Sequence, residues 1–259
     1  MSIFSLLNQI KQDEIVLPAI QRNFVWSSER IFKLLDSILR GYPIGTVLLW
    51  ETYGDIQYRT FLDDYRAEIP QTYHDNSIGN KIKLVIDGQQ RLQSLYVALY
   101  GTYEGCPLYF DILSGREKDN VSEDKYIFAF STKEEVAKSR KYVLDQLSRA
   151  EDKYDPDFEV FQYIKVADLF NMSPGEKERL KDTLSKSLNL NEADRIRMSI
   201  NVNLLNQVIS SEGYLLKETI IDQDLPRESF LAFSRSLFRI ISGNEPPRLK
   251  NKIYYLAVI

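Results

Sequence analysis

The sequence predicts an α+β fold, with a small mixed sheet and packed helices over residues 1 to 130 and a mainly helical part packed on it over 131 to 259. Three observations carry this reading. Short apolar runs at 15–18, 44–50 and 81–86 have the length and β-branched character of strands. Residues 29–40 and 92–99 instead space their apolar positions three and four apart. Beyond residue 130 the apolar spacing is helical in most segments.

Taken in order, Ile3, Leu6, Leu7 and Ile10 form one face of a short helix that leads into an extended Ile15-Val16-Leu17-Pro18. The next helix is the clearest: Ile31, Leu34, Leu35, Ile38 and Leu39 line one face, Ser27 or Ser28 can cap its start, and Gly41 can end it. A buried strand is expected over Ile44 to Trp50, then a polar loop to about Asn80 containing the single histidine, His74. Lys81 to Ile86 alternates and then turns apolar; after Asp87-Gly88 comes the helical set Leu92, Leu95, Tyr96 and Leu99, closed by Gly101. Further strands are expected at 108–112, 126–130 and 215–221. Ser173-Pro174-Gly175-Glu176 has the form of a capping box with Pro at the first helical position, starting a helix to about Leu188. Helices are also expected from about residue 191 to 210 and from Arg227 to Ile241, and the apolar end Ile253 to Ile259 has the look of an element cut short.

Composition narrows the function classes. Hydrophobic residues make up 44% and charged residues 27% of the 259, as in an ordinary globular protein. No apolar run approaches the roughly 18 residues of a membrane span and the N-terminus lacks a signal-peptide pattern, so cytoplasmic residence is expected. The net charge of -4 supplies no global attraction to DNA, and any such contact must come from a local patch. One cysteine, Cys106, expected as a small buried hydrophobe, rules out an internal disulfide. One histidine, expected as an exposed loop residue, rules out a two-histidine metal site.

Chemistry concentrates at two places. Asp87-Gly88-Gln89-Gln90-Arg91 lies between a strand and a helix, where backbone N–H groups of the first helical turn are open to an anion. Arg91 adds a planar cation matched to phosphate, and Gln89 and Gln90 are neutral donors that can hold a phosphate oxygen or orient a water. A carboxylate beside a phosphate is repulsive, so Asp87 either binds a bridging Mg2+ or caps the helix. The bland alternative makes Asp87 a cap, leaves the glutamines exposed and pairs Arg91 with a surface carboxylate. The second place is Pro18-Ala19-Ile20-Gln21-Arg22-Asn23-Phe24-Val25-Trp26, where Gln21 and Arg22 follow an extended segment and complete a phosphate clamp with Arg91. Phe24 and Trp26 are suited to base stacking or to core packing.

These two segments, together with Leu35-Asp36-Ser37-Ile38-Leu39-Arg40-Gly41-Tyr42-Pro43-Ile44-Gly45-Thr46, resemble the N-terminal domain of GmrSD-type modification-dependent restriction enzymes. That family is similar in fold to the ParB and sulfiredoxin group. The resemblance implies nucleoside-triphosphate (NTP) binding and hydrolysis with Mg2+, coupled to sensing or cutting phage or modified DNA together with a nuclease domain or subunit. Carried over by position, Asp87, Gln90 and Arg91 would be catalytic, Asp87 would hold the metal, and Gln21, Arg22, Gly88, Gln89 and Arg91 would bind the nucleotide. Asp36, Ser37 and Trp26 would support the site, although Asp36 four residues before Arg40 also fits a helix-surface ion pair. The family's later Arg-Ile-Asn-Ser-Gly-Gly segment is altered here at Arg239-Ile240-Ile241-Ser242-Gly243-Asn244, and the histidine-containing nuclease part is missing, so this chain is not expected to cut DNA by itself. The same arginines on DNA phosphates would make a sensor without hydrolysis, and a degenerate scaffold subunit is the third alternative.

Overall fold

The computed structural model describes residues 2–66, 72–77, 79–115, 124–136, 163–210 and 216–221. The predicted elements around 227–241, the altered 238–245 segment and the apolar 253–259 run lie outside them.

Helix α1 (Ile3–Lys11) buries Ile3, Leu6, Leu7 and Ile10, and the Ser2 hydroxyl accepts from Ser5 N–H at its start. Strand β1 (Ile15–Pro18) follows, then α2 (Ser28–Leu39), whose apolar face is buried along its length. Strand β2 (Thr46–Thr52) begins two residues later than the apolar run predicts. Gly45 has φ +91°, a conformation that interrupts a strand, and the Ile44 carbonyl is taken by a side chain from elsewhere. The predicted polar loop contains three short strands, β3 (Gln57–Arg59), β4 (Asp64–Tyr65) and β5 (His74–Asp75). Strands this short have no periodic run of their own, and pairing with distant partners creates them. His74 is exposed as expected, but its backbone pairs with Tyr58 and its ring stacks on the Tyr58 ring at 5.6 Å. Cys106 is half-buried in a turn against Tyr103, where there is too little cover to enclose it.

Strand β6 (Ile82–Asp87) leads to α3 (Gln89–Leu99), and β7 (Thr102–Tyr103), β8 (Leu108–Asp111) and β9 (Phe128–Phe130) follow. Further on are β10 (Tyr163–Lys165), α4 (Val166–Asn171), α5 (Pro174–Ser187), α6 (Glu192–Ser210) and β11 (Leu216–Ile221). The capping box opens α5: Ser173 accepts from Glu176 N–H, and the Glu176 carboxylate accepts from Ser173 N–H.

The central sheet is mixed, with strand order β11-β2-β6-β1-β3-β5. Strands β1 and β6 are parallel, β2 and β6 antiparallel, and β11 joins the far edge parallel to β2. The later part of the chain therefore contributes a strand to the sheet as well as helices. Smaller sheets β10-β8-β9 and β4-β7 lie apart. Alternation divides the central strands: Ile15, Leu17, Val47, Leu49 and Val85 join the main core, while Val16, Trp50, Ile82 and Leu84 form a small cluster on the other face. On the main face α3 is the central helix, and all its residues except Arg91 are buried.

Burial raises the hydroxyl pKa of Tyr96, Tyr109 and Tyr126, with Asp63 adding to the effect at Tyr96. In the unfolded chain these groups ionise near pH 10. The folded chain holds their protons longer, so the stability they contribute is complete below that pH and is lost as pH rises from there through the folded values. The thermal midpoint should fall between about pH 9 and pH 11; a flat midpoint over that interval would show that these hydroxyls titrate as they do in the unfolded chain.

Candidate functional site

The parallel pairing of β1 with β6 brings the chain after β1 against the β6–α3 turn. At that turn β6 carries an irregularity. Leu48 pairs with Asp87 and Leu49 with Val85, so Ile86 is the extra residue of a bulge that reorients the strand end. Gly88 then takes φ +89° as the N-cap of α3 and supplies no side chain to the first turn. The Asp87 carboxylate does not cap the helix; its side chain is 74% exposed, with one oxygen 3.5 Å from Arg91 Nη2. The first-turn N–H groups of α3 therefore have no acceptor among the described residues, at the positive end of an 11-residue helix.

The glutamines join the two motifs. Gln21 Nε2 donates to the carbonyls of Val85 (2.8 Å) and Ile86 (3.0 Å) at the end of β6. Gln89 Nε2 donates to Arg22 O at 2.8 Å; Gln90 Nε2 donates to Asn23 O, and Gln90 Oε1 accepts from Val25 N–H, both at 3.0 Å. Gln89 and Gln90 are buried, not exposed as the bland alternative had them. An amide side chain offers a donor and an acceptor, which is what a strand-like loop edge requires. Gln93, one turn on, does the same for both backbone groups of Leu62.

Arg91 is also held from within. Nη1 donates to Ile44 O and Nη2 to Thr46 O at 2.8 Å, and a Cβ on Gly45 would overlap the guanidinium. The middle motif thus meets the last through its backbone. The Asp36 carboxylate of that middle motif turns inward instead. Asp36 is 3% exposed, accepts from the N–H groups of Lys125 (3.0 Å) and Tyr126 (2.8 Å), and pairs with Arg40 at 3.3 Å. The predicted ion pair with Arg40 is present, but it is a core anchor of α2 and not a surface pair. Ser37 Oγ donates to Lys33 O one turn back. Phe24 packs in the core, edge-on to Tyr65 with centroids 4.8 Å apart, and so is not available for base stacking. Trp26 is half-buried against the same core.

What remains open on this face is Arg22, exposed and with no side-chain partner among the described residues, its carbonyl bonded to Gln89 at the start of α3; Asp87, just ahead of that helix, is exposed as well. Sequence reasoning missed Arg59. It lies on β3, is 2% exposed, and donates to Asn23 Oδ1 (3.0 Å), Gln21 O (2.9 Å) and Arg22 O (2.8 Å). Burial holds its guanidinium below the usual arginine range. No signal in a polar stretch marks one arginine as inward-facing.

A family model described as GmrSD restriction endonuclease, N-terminal domain, matches residues 3–235. The chain belongs to this family. The match takes in every site residue above and ends before the altered 238–245 segment. The uncharacterized protein MJ0686 of Methanocaldococcus jannaschii is 33% identical over 99 residues, covering 38% of this chain and 17% of that protein. This GmrSD N-terminal domain thus spans a small part of that relative's length. Among its described residues no helix is long and apolar enough to cross a membrane, and no group of three or more His, Cys, Asp and Glu could hold a metal ion.

Proposed function

We propose that this GmrSD N-terminal domain binds and hydrolyses a nucleoside triphosphate as the regulatory part of a restriction-type antiphage system, acting with a nuclease domain or subunit. The observation that carries the reading is the exposed Arg22, whose carbonyl is bonded to the first residue of α3 beside that helix's uncapped start. Arg22 and the N–H groups of the first turn bind the phosphates. Gly88 lets the turn close onto Val47 and Arg91, since a Cβ there would meet Val47 Cγ2 at 3.0 Å. Arg91 adds positive potential from the wall of the site, and Gln21, Gln89 and Gln90 hold the phosphate-binding loop against it.

Asp87 is the one carboxylate of the motif. It fits Mg2+ as a single protein ligand, the ion being otherwise held by nucleotide phosphates and water, since Mg2+ in such sites takes one or two carboxylates. Asp87 can also accept a proton from an attacking water. Gln90, with both ends of its amide bonded to the loop, assists the attack by keeping Arg22 in register.

The test is a thermal-shift screen of the four NTPs with and without Mg2+ on wild type and Arg22→Ala, followed by phosphate release. Ligand at about a hundred times its dissociation constant stabilises the fold by about 2.7 kcal/mol. A Mg2+-dependent shift lost in Arg22→Ala, at an unchanged ligand-free midpoint, is the expected result. No shift with any NTP sinks the proposal, and steeply salt-dependent DNA binding lost in the same variant would put the arginine on DNA phosphates instead.

A further inference from the structure

We propose that Arg59 is the positioning residue of this site: its buried guanidinium fork, reaching from β3 to Gln21 O, Arg22 O and Asn23 Oδ1, keeps the backbone of the exposed Arg22 fastened at the first residue of α3. The nucleotide role of Arg22 rests on the function proposed above; the hold on the loop does not.

Three observations give Arg59 this role. Its two Nη atoms meet three successive residues of the loop, so one rigid planar group sets the orientation of consecutive peptides, which a flexible point charge could not do. The Arg22 carbonyl is gripped from two sides, by Arg59 Nη2 at 2.8 Å and by Gln89 Nε2 at 2.8 Å. With that carbonyl held between β3 and α3 while the residue remains exposed, rotation of the Arg22 peptide requires breaking both bonds. Finally, β3 is itself anchored: it pairs with β1 through Leu17 and Arg59, the strand that delivers the loop. Loop, fork and helix start are thus built as one unit. Loss of the fork frees the loop without removing any group that would touch the nucleotide.

Trypsin cuts after arginine and needs the chain locally released, so cleavage of the Arg22–Asn23 bond measures the hold directly. Limited digestion of the full chain, with fragments identified by mass, is compared for wild type, Arg59→Lys, Arg59→Met and Asn23→Ala. Loss of a charged donor to the loop should accelerate this cut by about tenfold or more in Arg59→Met, with cuts elsewhere unchanged. Arg59→Lys should fall between, because one ammonium cannot span the three acceptors. Asn23→Ala, which removes one of the three acceptors of the fork and leaves both carbonyls, should give a smaller rise. NTP affinity, measured at a temperature where every variant is fully folded, should fall in the same order, a pattern that a purely structural arginine would not produce.

A folded Arg59→Met cut after Arg22 at the wild-type rate overturns the proposal. If Arg59→Met does not fold, wild-type rates in both Arg59→Lys and Asn23→Ala overturn it equally. A wild type that binds no NTP removes the nucleotide reading, and trypsin then still decides whether Arg59 holds the loop. Variants that release the loop while NTP affinity stays at the wild-type level overturn the positioning role.

Discussion

Asp36→Ala should destabilise the fold by about 3–5 kcal/mol, a large share of the roughly 5–15 kcal/mol typical of a whole domain. Asp36 lies on the inner face of α2 and is the acceptor for two consecutive N–H groups, those of Lys125 and Tyr126, as well as the partner of Arg40. Alanine leaves both amides without that acceptor, the Tyr126 amide in a buried place and the Lys125 amide in a half-buried one, and each orphaned buried donor costs about 1–3 kcal/mol. It also takes the carboxylate partner from an arginine that keeps its contact with Tyr42, whose ring centroid is 5.1 Å away. Asp36→Asn keeps a carbonyl oxygen for the amides and loses only the charge, so it should recover most of the loss. Urea unfolding of the three proteins checks the order; an Asp36→Ala midpoint equal to wild type would mean that the 125–126 segment finds other acceptors. Asp36 thus serves the site only indirectly, by fastening α2 to the segment that leads into β9.

Arg91→Ala should lose nucleotide binding and about 2–4 kcal/mol of stability together. The guanidinium supplies donors to Ile44 O and Thr46 O, which hold the turn ahead of β2, and its side chain is only 20% exposed. The contact with Asp87 adds little stability, because that carboxylate is 74% exposed and screened by water. Arg91→Lys should restore less than half of the loss, since an ammonium cannot reach two carbonyls in the fork geometry. Denaturant unfolding alongside NTP thermal shifts separates the two effects. Arg22→Ala is expected to lose binding at full stability, and Arg91→Ala to lose both. Full stability in Arg91→Ala would show that solvent replaces its donors at both carbonyls.

Local order was legible in the residues. The spacing of Ile31, Leu34, Leu35, Ile38 and Leu39 defines α2, the Ser173 to Glu176 box marks the start of α5, and the apolar run before Asp87-Gly88 announces strand, turn and helix. These features depend on neighbours within one or two turns, so they are written in sequence. Core packing of Phe24 was one of two open readings, since an aromatic at an alternate position suits a base or a core equally well.

The direction of polar side chains was not legible. Gln21, Gln89, Gln90 and Arg91 have the same composition whether they face a phosphate or a backbone carbonyl, and partners 45 to 67 residues away decide which. The inward turn of Arg59 and the addition of β11 beside β2 depend likewise on pairings between distant strands. The sequence by itself determined helices α1, α2, α3, α5 and α6, the strand-turn-helix at Asp87 and the family, because each is carried by short-range patterns. Only the tertiary structure decided that the glutamines bind the loop, that Asp36 is a buried anchor and that Arg22 is the exposed arginine, because a hydrogen bond's partner exists only once the chain has closed on itself.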